Sequence, residues 1–218
     1  MTDTDKKLLP ESLLKGYGKF REFKYARHAQ RYMRLAVESQ KPETMVIACC
    51  DSRAAPETIF DASAGELFVV RNVANLVPPY APDANRHSTS AAIEFAVHGL
   101  GVKHIVVMGH GRCGGIAAVV KDMSPLSRGD FIGKWMADVK DVVDTVDVPH
   151  NCSDHEHHTL VERASIVHSL ANIRTFPWIA RLEDIGEIQV IGAWFDVALG
   201  ELHVYNEVTK KWELVNEA

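Results

Sequence analysis

The chain has 218 residues, 46% of them apolar and 24% charged, with a net charge of −5. This is ordinary globular composition, with enough apolar material for a full core. The acidic balance marks no surface for polyanions, so nucleic acid is not expected as a partner, and no apolar run reaches the roughly 18 residues of a membrane span.

Residues 1–10 mix acids and lysines without an apolar signal core. Export is not expected, and the cytoplasm is the default compartment. Residues 11–38 read as helical, because Leu13, Leu14, Tyr17, Phe20, Phe23 and Ala26 recur mostly at steps of three. Gly16 and Gly18 are expected to break this arm into two helices. Such an arm packs either on a partner subunit or on its own core, and both readings stay open. Thr44–Cys49 is a short, almost wholly apolar run, typical of a buried parallel strand, and 67–70 is a second. Helical spacing follows over 88–100, then a third strand at 104–108 and a helix from about 115 to 121. Further helices are expected over 131–146 and 159–176. A fourth strand at 187–194 turns through 196–200 into a hairpin edge at 201–205. Strands alternating with helices predict an α/β fold: a mostly parallel central sheet of four to five strands flanked by helices, with an N-terminal helical arm. No repeat or linker interrupts the chain, so residues 1–218 are expected to form a single domain.

Four cysteines punctuate this pattern: Cys49, Cys50, Cys113 and Cys152. In a reducing compartment metal binding is favoured over disulfides. Neighbouring Cys49 and Cys50 on a strand point to opposite faces, so at most one of them readily serves a given site. Joined to His110 and Cys113, three residues apart, that cysteine makes three zinc ligands. Three protein ligands leave a fourth position open for water or substrate, as catalysis requires. A structural zinc completed by Cys152 or a histidine is the alternative. Both ligand segments fall at carboxyl ends of strands, where open parallel sheets build their sites. Zinc lowers the pKa of a coordinated water, but two thiolates weaken the effect, so an alkaline optimum is expected.

Asp51 and Arg53 follow in the turn leaving the first strand. A carboxylate there can orient the reacting water, or bind the metal and block it. Arg53 can hold Asp51 ionised and off the metal through a bidentate pair. A turn with a surface ion pair is the plain alternative. A second cluster, His150, His155, His157 and His158 around Cys152, is expected to be a solvated loop.

At these residues the chain resembles the β-class carbonic anhydrases, whose signature is Cys-x-Asp-Ser-Arg followed by His-x-x-Cys. Here the motifs read Cys49-Cys50-Asp51-Ser52-Arg53 and His110-Gly111-Arg112-Cys113. The resemblance runs through 65–75 and 90–97 to about residue 205, and it selects Cys49 rather than Cys50 as the ligand. It implies one zinc ion per subunit on Cys49, His110 and Cys113, with Asp51 a fourth ligand only in a closed state. It also implies reversible hydration of carbon dioxide to bicarbonate and a proton by zinc-bound hydroxide. Asp51 and Arg53 carry over as the catalytic dyad, Phe68 and Val73 as the apolar carbon dioxide pocket, and Gln40 as a substrate hydrogen-bonding group reaching across a dimer. A homodimer or tetramer is implied, with the 1–38 arm at the interface.

The chain is nearest the open-site, plant-like subgroup, with departures. The second, inhibitory bicarbonate site of another subgroup uses a Trp, an Arg and a Tyr. Those positions hold Val46, Arg71 and Phe195 here, so no such site is expected. The plant-like tyrosine before the 88–100 helix falls on Arg86, with His87 beside it. Carbon disulfide or carbonyl sulfide hydrolysis on the same scaffold is one alternative activity. A non-catalytic structural-zinc or anion-binding protein is another, and the Asp51–Arg53 dyad argues against it.

Overall fold

The structure, a computed structural model, describes residues 9–216. The chain divides into two compact units, 1–40 and 41–218. In the first unit, α1 (Glu11–Lys19) runs through a π-helical stretch, Phe20–Tyr25, into α2 (Ala26–Glu38). Gly16 and Gly18 do not break α1, contrary to the sequence expectation. Glycine costs a helix only about 1 kcal/mol and does not forbid it. The irregularities are the π stretch and His28, with φ −116° and ψ 16°. Phe20, Tyr25 and Tyr32 form a triangle of rings, Phe20 with centroids 6.1 and 5.9 Å from the two tyrosines, which lie 5.2 Å apart. Leu13, Tyr17, Phe23, Met33 and Val37 stay exposed.

The second unit is built on a six-stranded sheet of order β2-β1-β3-β4-β5-β6. The strands are β1 (Thr44–Cys49), β2 (Leu67–Asn72), β3 (His104–His110), β4 (Gln189–Asp196), β5 (Glu201–Asn206) and β6 (Lys211–Leu214). The first four are parallel, and β5 and β6 add on antiparallel. One strand more than expected is present, because β6 is a short edge strand with little apolar signal. Apolar runs make β1 and β3 central strands, and every residue over 45–49 is buried. In register, Thr44 pairs with His104 and Ala48 with Met108. From β1 the chain turns out to β2 and then crosses back to β3, so the winding reverses between β1 and β3.

Met45, Ile47, Ile105, Val107 and Val190 pack on one side of the sheet, against Ile166, Leu170 and Ile173 of α8 (Asp154–Ile173). Gly109 lets α8 approach β3 closely. A Cβ there would lie 2.6 Å from Ile166 Cδ1. The remaining helices are α3 (Pro56–Ile59), α4 (Ser88–Glu94, continued as a π turn to Leu100), α5 (Gly114–Val120), α6 (Phe131–Trp135), α7 (Ala137–Thr145) and α9 (Pro177–Asp184). The helix expected over 131–146 is thus two helices meeting at buried Met136.

α8 also begins five residues before the expected 159. Ser153 and Glu156 form a reciprocal capping box, Ser153 N–H to Glu156 Oε2 at 2.8 Å and Glu156 N–H to Ser153 Oγ at 3.3 Å. His155, His157 and His158 therefore stand on a helix and not in a loop. Among the described residues no helix is long and apolar enough to cross a membrane.

Candidate metal centre

Cys49 ends β1, His110 ends β3, and Cys113 sits at the N-terminus of α5. The two strands lie side by side at the point where the winding reverses, the usual position for a site in an open parallel sheet. The three ligand atoms lie within 4.8 Å of one another, and all three residues are buried. Cys50 is exposed. Among the described residues this is the one group able to hold a metal, and Cys152 and the histidines of α8 are not part of it.

The donor set fits a zinc ion. The two sulfurs are 4.0 Å apart, against about 3.8 Å for tetrahedral ligands with 2.3 Å metal–sulfur bonds. His110 Nδ1 meets the carbonyl of Gly111 at 3.0 Å, which assigns its proton there and leaves Nε2 free to ligate. Nε2 is fully buried with no hydrogen-bond partner. The backbone amides of Asp51 and Ala74 favour the Cys49 thiolate, and those of Ile116 and Gly115 favour that of Cys113. Two such close thiols cannot both ionise cheaply. The Cys113 S–H draws Cys49 down, and the resulting thiolate drives Cys113 up. A cation between them removes the conflict. Burial alone would lower His110, but the Cys49 thiolate outweighs it and raises the imidazole.

The surrounding turns are conformationally costly, as functional sites often are. Arg112 has φ 60°, Ala74 62° and Asn75 49°, all left-handed without being glycine. The Arg112 carbonyl accepts from Arg53 Nη2 at 3.1 Å. Arg53 also clasps Asp51 by both oxygens, Nε to Oδ1 at 2.9 Å and Nη2 to Oδ2 at 2.8 Å. That fork holds the Asp51 carboxyl well below the usual range. Arg71 donates to the carbonyls of Cys49 and Asp51, at 2.8 and 2.6 Å, and so braces the turn between them.

The structure thus brings together Cys49, His110, Cys113, Asp51 and Arg53. Val73 packs against the first turn of α5, just after Cys113, since a Cβ on Gly115 would come 3.0 Å from its Cγ1. Phe68 is not beside the trio of its own chain. It pairs with Met45, whereas Asn72 pairs with Cys49, so it lies about 13 Å down the strand, its ring tilted against that of Phe95 with centroids 5.8 Å apart. Gln40 ends the N-terminal unit. His87 binds Asp83 at 2.8 Å. The sequence reading missed Glu162 of α8, whose buried carboxylate accepts the backbone N–H of Cys113 at 2.9 Å. Its one signal is a polar stripe, Glu162, Ser165, Ser169 and Asn172, on the helix's buried side.

The open sheet and the sulfur–imidazole trio define an α/β protein with a candidate metal centre. Residues 44–202 match the family model described as carbonic anhydrase. The chain is 36% identical over 184 residues to the chloroplastic β-carbonic anhydrase 5 of Arabidopsis thaliana, covering 81% of this chain. It is 30% identical over 200 residues to a carbonic anhydrase of Pseudomonas aeruginosa, covering 92% of this chain and 89% of that one. Among solved structures, the β-carbonic anhydrase CcaA superposes with a TM-score of 0.85 at 27% identity, over 94% of this chain and 92% of that one. A chain from the crystal structures of two tetrameric β-carbonic anhydrases of Sordaria macrospora is similar at a TM-score of 0.74 and 28% identity, over 88% of this chain and 94% of that one. The chain belongs to the β-class carbonic anhydrase family. It spans 58% of the length of the chloroplastic relative and 66% of that of a mitochondrial one, also from Arabidopsis.

Proposed function

We propose that this protein is a zinc-dependent carbonic anhydrase, interconverting carbon dioxide with bicarbonate and a proton at one zinc per subunit. The observation that carries this reading is the buried Cys49–His110–Cys113 trio with an ionised Asp51 held beside it by Arg53. A zinc ion there supplies a Lewis acid that makes water nucleophilic at accessible pH. Asp51 accepts a hydrogen bond from the attacking water and fixes its lone pair toward the substrate carbon. Arg53 keeps both Asp51 oxygens occupied, so the carboxylate orients water rather than joining the trio. The resting site is therefore open. His110, neutral with its Nδ1 proton on Gly111, presents Nε2. Val73 lends an apolar wall suited to a small nonpolar substrate, and Phe68 and Gln40 complete the pocket in a dimer.

The apolar residues of the N-terminal unit are proposed to pack on a second copy, in a homodimer or a tetramer of paired dimers. Residues 1–218 are proposed to act as one functional domain. The thiolate pair suits a reducing compartment such as the cytoplasm.

Stopped-flow hydration of carbon dioxide, on protein with zinc content measured and across neutral to alkaline pH, tests the proposal. Turnover rising toward alkaline pH is expected. A fully zinc-loaded protein without turnover overturns it, and parallel assays with carbon disulfide and carbonyl sulfide separate the neighbouring activity.

A further inference from the structure

Helix α8 turns four polar residues into the protein, Glu162, Ser165, Ser169 and Asn172, at spacings that place them on one face. Two of them hold the turn after β2. Ser169 Oγ accepts from the Val77 N–H at 3.3 Å, and Asn172 Nδ2 donates to the Val77 carbonyl at 2.9 Å. Glu162 reaches the metal centre instead. Only 3% exposed, it accepts the Cys113 N–H on Oε1 at 2.9 Å and the indole N–H of Trp194 on Oε2 at 3.1 Å. Trp194 is itself covered by the Arg163 guanidinium, 4.4 Å above its ring.

We propose that Glu162 is the positioning residue for Cys113, setting the third ligand at its distance from Cys49 and His110. This inference rests on the reading of the trio as a metal centre. Cys113 stands between Arg112, in a left-handed conformation, and the first turn of α5. Its own extended backbone, φ −66° and ψ 121°, is set at its N–H by the Glu162 bond. Two N–H donors converge on one side chain, and only a carboxylate accepts at both of its oxygens. A glutamine has the same shape, yet either orientation of its amide sets N–H₂ against an N–H and leaves a buried donor unpaired. The choice of a glutamate, despite the cost of burying it, follows from that geometry. Burial pushes its carboxyl up, and the two N–H bonds oppose the rise.

Wild type, Glu162→Gln and Trp194→Phe are compared by zinc competition against a chromophoric chelator, by the cobalt(II) spectrum, and by melting with and without zinc. A wild type lacking the thiolate-to-cobalt charge-transfer band overturns the trio reading, and this inference with it. Given that band, Glu162→Gln is expected to bind zinc about 10- to 100-fold more weakly, with the band displaced. The gap between zinc-loaded and metal-free melting temperatures should narrow accordingly. Trp194→Phe keeps a ring and loses the N–H, and should shift affinity and band the same way by less. A purely structural Glu162 would lower both melting temperatures equally, with affinity and band unchanged, and that result overturns the proposal. If Glu162→Gln does not fold, an unaltered affinity and band in Trp194→Phe does so instead.

Discussion

His110 Nε2 stands 3.9 Å from Asp51 Oδ2, close enough to share an ion and too far for a hydrogen bond. The carboxylate thus stands beside the trio, and the Arg53 fork restrains it there. Lysine offers a point charge without a fork, so Arg53→Lys frees Asp51 to move. Carbon dioxide hydration is expected to fall on the order of 10²-fold, as misplaced catalytic groups do, while zinc content stays the same. Stopped-flow rates paired with metal analysis check this. Loss of zinc in place of turnover would reassign Arg53 to shaping the trio.

Cys113→Ser replaces an ionisable sulfur with a hydroxyl that does not ionise at working pH. Without the second thiolate, zinc should be stripped by dialysis against a chelator that leaves wild type loaded, and hydration should vanish. Elemental analysis before and after dialysis reads the outcome. A serine variant that keeps zinc and turnover would remove Cys113 from the ligand set.

The Asp51–Arg53 pair has a pH signature in the metal-free protein. The folded-state carboxyl titrates below its unfolded value, chiefly because of the Arg53 side chain. Its stabilisation is therefore complete above about pH 4, the ordinary aspartate value, and is lost as pH falls further. Metal-free wild type should melt above Asp51→Asn by a constant margin from about pH 5 to 7, and the margin should shrink below about pH 4. Differential scanning calorimetry at stepped pH measures it. An unchanging margin down to about pH 2.5 would rule out the ion pair as its source.

Ser153→Ala removes the side-chain half of the cap on α8. The expected cost is about 1 kcal/mol of stability, read as a lower urea midpoint. Zinc content and turnover per zinc should be unchanged, because the cap lies about two and a half turns of helix before Glu162. A turnover defect at full zinc loading would tie the cap to the active site.

The strands carrying the trio were legible because both are continuous apolar runs that end in a Cys or a His, and a central parallel strand demands that composition. The Asp51–Arg53 pair was legible from a spacing of two residues in a turn. The start of α8 was not, because apolar periodicity begins at Thr159 and its first turn is Asp154, His155, Glu156 and His157. The missed signal was Ser153-x-x-Glu156, which specifies a helix start by hydrogen bonding rather than by hydropathy. β6 hid for the opposite reason: Lys211-Trp212-Glu213-Leu214 is an edge strand with charged residues, and its burial is slight. Glu162 drew no notice in the sequence, since hydropathy cannot distinguish a paired buried carboxylate from an exposed one.

The register of β1 against β3 makes chain length itself a constraint. Because Thr44 is level with His104, counting forward from that rung delivers Cys49 to its place. An inserted residue inside β1 would bring Ala48 there and turn the cysteine to the other face. A deletion would bring in Cys50, a thiol again, but would also draw Asp51 and Arg53 one step out of line. Sequence drift in this strand is thus confined to substitutions, whereas the exposed stretch after α5, at 121–129, can gain or lose residues without resetting any member of the trio.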